Sequence, residues 1–148
     1  MRGLRRKRID GGIAQRFVSF CVSDYHKLKV WRKSYALALS VQPVAIAIPG
    51  ADYASLRNQI LRAVTSISTN IVEGSGKQSR KEFARFLRIA LNSASELEFH
   101  LMMARDFKLI TAAQFSSLSA QSIEIRKMLF GLVNTVLASP AFPPRAKQ

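Results

Sequence analysis

Four stretches of this chain repeat apolar residues every three or four positions, and each stretch is bounded by residues that stop a helix. That spacing returns to one face of an α-helix and does not fit a strand, whose faces alternate with period two. The first stretch carries Leu28, Trp31, Tyr35, Ala38, Val41 and Ala45; the second Leu56, Ile60, Ala63, Ile67 and Ile71. The third carries Phe83, Leu87, Ala90, Ala94, Leu97, Leu101 and Ala104; the fourth Phe115, Leu118, Ser122, Ile125, Leu129, Leu132 and Val136. Pro49-Gly50 makes the first break, and Gly74-Ser75-Gly76 the second, with Gly74 placed to take a left-handed conformation past a helix end. Ser79 with Glu82, and Thr111 with Gln114, are capping boxes that start helices. The spacing therefore predicts helices over about 27–47, 52–73, 80–108 and 112–138. Pro43 conflicts with the first and predicts a kink or an early end to its regular part.

Short connections make sequential helices antiparallel neighbours, so the expected fold is all-α: an up-down-up-down four-helix bundle over residues 25–138. Phe86 and Ile89 on the third helix, and Ile123, Phe130, Val133 and Leu137 on the fourth, lie beside the main stripes. Apolar area in excess of one core reads as a subunit interface.

Residues 1–24 hold six basic side chains and no sustained periodicity, and read as a basic flexible arm. Their opening looks like the n-region of a signal peptide, but Asp10, Gly11, Gly12, Gln15 and Arg16 interrupt the apolar run that should follow. Residues 139–148 form a tail in which Pro140, Pro143 and Pro144 forbid a helix. No run reaches the ~18 apolar residues that a membrane span needs. Cys21 is alone and forms no internal disulfide, which fits a soluble protein of the reducing cytoplasm with no membrane partner.

Enzymatic constellations do not assemble. A di-iron bundle needs paired Glu-x-x-His motifs, whereas the two histidines, His26 and His100, each lack a glutamate three residues before them. Glu96 and His100 share a helical face, but two groups fall short of the usual three or four metal ligands. Gly74-Ser75-Gly76-Lys77 lacks the spacing of a phosphate-binding loop and follows a helix, not a strand. No serine has a histidine nearby to activate it. The chain reads as non-enzymatic, without catalytic residues, metal or cofactor.

Charge is the positive signal. Lys and Arg total 23 against nine acidic residues, a formal net charge of +14. A chain so basic repels itself when compact, and a polyanion is the usual partner. Lys77, Arg80, Lys81, Arg85 and Arg88 gather at the start of the third helix, and Lys27, Lys29, Arg32 and Lys33 at the start of the first. Cations there oppose the helix dipole at ~0.3–1 kcal/mol each, so helix stability does not explain them. They read as a nucleic-acid-binding surface; the competing reading is a solvated face with Glu82 and Asp52 as counterions. Folding the second helix on the third brings Glu73 toward Arg80, and Arg57 and Arg62 toward Glu96, as bundle or interface ion pairs.

A family resemblance rests on three segments. The first is Leu28-x-Val30-Trp31-x-Lys33; the second is Leu56-x-x-Gln59-x-x-Arg62-Ala63-x-x-Ser66-Ile67-x-x-Asn70-Ile71-x-Glu73-Gly74. The third runs Ser79-x-x-Glu82-Phe83-x-x-Phe86-Leu87-x-Ile89-Ala90-x-x-Ser93-x-x-Glu96-Leu97-Glu98, with Glu124 to Leu132 continuing the likeness. Together they resemble the bacterial four-helix-bundle family encoded in intervening sequences of 23S rRNA genes. The resemblance implies a ring-shaped homopentamer and a kinship with the accessory protein of diversity-generating retroelements. It thus favours RNA over DNA as the nucleic acid, and offers an alternative role as an adaptor docking a reverse transcriptase. Ala54-Ser55 and Leu61 depart from the family, which has Tyr-Gly and an arginine at those positions, and Lys27 and Lys29 replace acidic residues.

Overall fold

The computed structural model describes residues 24–138. The expected arm, apart from Asp24, and the proline-rich tail lie outside the described residues. Four helices follow a single 3-10 turn at Tyr25–Lys27: α1 (Lys29–Ile46), α2 (Ala54–Ser75), α3 (Arg80–Asp106) and α4 (Ala112–Ala138). The helices α2 and α3 pack most extensively, then α3 and α4, while α1 closes the layer against both α2 and α4. This is the expected up-down four-helix bundle.

Caps set both ends of α3 and the start of α4. Ser79 Oγ accepts from the Glu82 amide at 3.0 Å and starts α3. At α4 both arms of the box form: Thr111 Oγ1 accepts from the Gln114 amide at 3.0 Å, and Gln114 Oε1 from the Thr111 amide at 2.9 Å. The end of α3 is a Schellman motif. The Leu109 amide donates to the Ala104 carbonyl at 2.8 Å, the Lys108 amide donates to Arg105 at 2.9 Å, and Lys108 sits at φ 59°. Pro43 does not terminate α1, which runs one further turn to Ile46. Gly50, at φ 84°, then reverses the chain.

Gly74 corrects the sequence reading. It lies inside α2, not in a left-handed cap, because α2 continues to Ser75 and ends on Gly76 at φ −81°. What Gly74 supplies is space: a Cβ there would stand 2.8 Å from Phe86 Cβ and 2.9 Å from Phe83 Cδ2. Bare backbone at this point lets α3 approach α2 closely. Farther along the same seam Ser66 and Ser93 hydroxyls meet at 2.8 Å, and Asn70 Nδ2 donates to Ser66 Oγ at 3.0 Å. Each small polar group is satisfied, so the seam can close without a desolvation cost.

The core follows the expected stripes on three helices. Every expected α3 position is buried, as are Ile60, Ala63, Ile67 and Ile71 of α2 and Leu118, Ser122, Ile125, Leu129 and Val136 of α4. Val133, expected at an interface, also belongs to the core. On α1 Leu28, Val41 and Ala45 are buried as expected, but the middle of the stripe is turned. The residues facing inward are Val30, Ser34, Leu37, Val41 and Ala45, while Trp31 is only half-buried and Tyr35 is 50% exposed. Ser34 is buried without penalty because its hydroxyl donates to the Trp31 carbonyl at 2.8 Å.

Candidate nucleic-acid interface

The up-down topology points the starts of α1 and α3 toward one end of the bundle, on helices that are not packing neighbours. The two basic groups of the sequence therefore lie on separate surfaces.

On α3, Lys81, Arg85 and Arg88 are exposed and share one face, with half-buried Arg80 and Lys77 beside them. Arg85 engages Glu82 with both Nε and Nη2, each at 3.3 Å. Lys77 reaches Glu73 at 3.9 Å. Both cations also cover the half-buried Phe86: Lys77 Nζ lies 5.0 Å and Arg85 Cζ 4.5 Å from its ring centroid. Arg80, Lys81 and Arg88 have no carboxylate partner among the described residues. The helix holds these guanidinium and ammonium groups at fixed spacing, and Phe86 restrains two of them from the side.

The α1 group is arranged differently. Lys33 Nζ donates to Glu124 of α4 at 2.8 Å. That hydrogen bond and its charge hold the Glu124 carboxyl below the usual carboxylate value, with Lys29 adding to the effect. Asp24 accepts from the His26 amide at 3.1 Å and lies 3.0 Å from His26 Nδ1, with Lys27 at 3.9 Å. The ring contact with His26 is the main cause of the lowered Asp24 pKa. Lys29 and Arg32 remain exposed. Between these cations stands a group of rings that the sequence reading assigned to the core or passed over. Tyr25 stacks on His26 at 4.1 Å, Trp31 meets both at 4.9 and 5.2 Å, and Trp31 stacks on Tyr35 at 5.4 Å. The available signal was four rings within eleven residues of four cations.

The expected ion pairs do not form within the protomer. Glu73 takes Lys77, not Arg80. Arg57 Nη1 donates to the Ile48 carbonyl at 2.7 Å and ties down the α1–α2 connection instead of reaching Glu96. Arg62 is exposed and has no partner among the described residues. Glu96 pairs with His100 across one turn at 3.6 Å. Besides Lys33–Glu124, a second pair bridges helices: Glu98 Oε1 accepts from Arg126 Nε of α4 at 2.9 Å and from the buried Ser122 hydroxyl at 3.2 Å. Among the described residues, no group of three or more His, Cys, Asp or Glu could hold a metal ion, and no helix is long and apolar enough to cross a membrane.

Residues 26–131 match the family model of the 23S rRNA-intervening sequence protein. The chain is also similar to a protein of unknown function from the S23 ribosomal protein family of Bacteroides thetaiotaomicron, whose crystal structure superposes with a TM-score of 0.65. The two are 34% identical over 70% of this chain and 97% of that one. No curated protein matches the chain. With most of its helical bundle inside the family match, this chain belongs to the 23S rRNA-intervening sequence protein family.

Proposed function

We propose that the protein is a non-enzymatic, homo-oligomeric RNA-binding bundle of the bacterial cytoplasm. The observation that carries this reading is the exposed row Lys81, Arg85 and Arg88 on α3, in which Lys81 and Arg88 have no carboxylate partner among the described residues and Arg85 only its neighbour Glu82. Residues 24–138 hold 15 Lys and Arg against eight acidic residues, and seven of those eight acids are already engaged by nearby cations or histidines. Only Asp52 is left over, far along the chain from α3's start, so beyond Glu82 little internal charge remains to neutralise the row. A rigid, weakly compensated row is suited to phosphates. The family's association with 23S rRNA genes favours RNA. Ile123, Phe130 and Leu137, spaced by seven on α4, support self-association: Phe130 is 63% exposed and Leu137 is exposed beside it on the same face.

Filter binding of a structured RNA across a salt series tests the first part. Affinity falls steeply with salt, and K81E/R85E/R88E lowers the log–log slope by about 2–3, one phosphate contact per cation. No salt-sensitive affinity rejects the reading. Light scattering tests the second: a mass near 16.5 kDa at micromolar concentration rejects the oligomer.

A further inference from the structure

We infer that the start of α1 is a second nucleic-acid contact, specific for unpaired nucleotides, in which bases stack on Tyr35 and His26 while Arg32 and Lys29 meet the phosphates. This rests on the nucleic-acid reading above and adds to it a class of ligand and a site.

Four observations converge. Tyr35 is large, aromatic and 50% exposed, whereas Phe86, the ring beside the α3 row, is half-buried under Lys77 and Arg85. Its ring is nearly parallel to Trp31, 14° apart, and Trp31 is itself braced by Tyr25 and His26. A ring already held in place loses little freedom when a base is laid on it. At the other end of the aromatic group the His26 side chain is 64% exposed and stacked on Tyr25. Finally, exposed Arg32 lies within one turn of Tyr35 and exposed Lys29 within one turn of Trp31, so a strand whose base sits on the ring brings its phosphates to cations. Exposed rings interleaved with cations suit single strands, because every base has a π face, whereas paired bases in a duplex hide theirs. The surface lacks a row of acidic groups that a basic protein partner would need: Asp24 is held by His26 and Lys27, and Glu124 by Lys33.

Trp31 is the only tryptophan, so the site carries its own reporter. The full-length protein is titrated with a single-stranded oligouridylate of about 12 nucleotides, within the span of single-strand sites, and separately with a perfectly paired RNA hairpin stem. The expected result is quenching of Trp31 by oligouridylate, with the stem leaving it nearly unchanged. Tyr35→Ala and Tyr35→Leu both weaken oligouridylate binding about five- to hundredfold, the range of one lost base stack, and leave stem binding intact. Because Tyr35 is not in the core, neither variant threatens the fold, and Leu keeps the apolar contact while removing the π face. Unchanged oligouridylate affinity in Tyr35→Leu overturns the inference while the RNA reading stands. A Trp31 signal that depends on protein concentration alone, without oligonucleotide, also overturns it, since the face is then buried between copies. Failure to bind either RNA overturns the RNA reading itself.

Discussion

At the start of α3 the ring nearest the cations, Phe86, is half-buried and covered by Lys77 and Arg85; at the start of α1, Tyr35 is stacked on Trp31 and remains 50% exposed. Both regions are basic, yet they offer different chemistry. On α3 the aromatic ring is spent on steadying cations, which leaves a surface for the phosphate backbone. On α1 two of the four cations are occupied by Asp24 and Glu124, and it is the rings that stay available. Formal charge alone would rank these surfaces as equals. The accessibility of the aromatic groups separates them.

They also differ in how firmly they are seated. The α3 surface stands over a tight contact in the seam, where a Cβ at Gly74 would find no room beside Phe86. The largest expected effect comes from filling that room. Gly74→Val costs about 3 kcal/mol of stability, at the upper end of overpacking penalties, because backbone and the root of a ring must both shift. Gly76→Ala, whose new methyl meets only the Glu73 carbonyl at 3.7 Å, stays within about 0.5 kcal/mol of the parent. Urea denaturation compares them, and equal stabilities would mean that Gly74 is not needed for the seam.

Removing the covered ring is next. Phe86→Ala costs about 2 kcal/mol, roughly half of a fully buried phenylalanine, and frees Lys77 and Arg85 to move. Structured-RNA affinity weakens modestly, while the Trp31 response to a single strand is unchanged. If Phe86→Ala abolished the Trp31 response, the two surfaces would be one, and the contrast between them would fail. A smaller effect of opposite sign is expected remote from both surfaces. Lys108 bears a left-handed backbone that costs an L-residue about 1 kcal/mol and glycine almost nothing. Lys108→Gly therefore raises stability by somewhat under 1 kcal/mol and leaves both binding responses alone, which calibrates the stability scale of the other variants.

The contrast between the two surfaces also explains what the sequence could disclose. The α3 stripe was readable because every apolar position on it is spaced for one face and that face is buried. On α1 two stripes compete. Between the shared core positions Leu28 and Val41, Trp31, Tyr35 and Ala38 keep helical spacing, and so do Val30, Ser34 and Leu37. The true core stripe contains a serine whose hydroxyl is satisfied within its own helix, so it looked the weaker of the two. Choosing the wrong stripe hid the aromatic surface by assigning it to the interior. Gly74 was read as punctuation because a glycine near a helix end usually is; its use as a gap between helices depends on Phe83 and Phe86, which are nearby only after folding. Lys108 gave no signal, since a lysine carries no preference for a left-handed backbone. The cations of both clusters were legible as residues, but which of them spend their charge internally depended on tertiary neighbours such as Glu124.

The smallest effect tests how the α1 surface is held. Leu28 provides α1 with no side-chain cap, so beyond the buried Leu28 and Val30 the nearest polar tie to another helix is the Lys33–Glu124 pair. Both groups are substantially exposed, and such pairs contribute little in water. Their contribution has a definite sign with pH. Because the folded-state pKa of Glu124 lies below its ordinary value of 4.5, the stabilisation is fully present above that value and is lost as the pH falls through the lowered one. Glu124→Gln removes the titrating group. The variant is therefore slightly less stable than the parent near neutral pH, and the gap closes in acid, where the parent's own Glu124 is protonated. Trp31 emission follows the same transition locally, since the ring sits two residues from Lys33. A gap that stayed constant from neutral pH into acid would place the effect of the substitution in packing, and would leave the aromatic surface held by its ring contacts and the buried Leu28 and Val30.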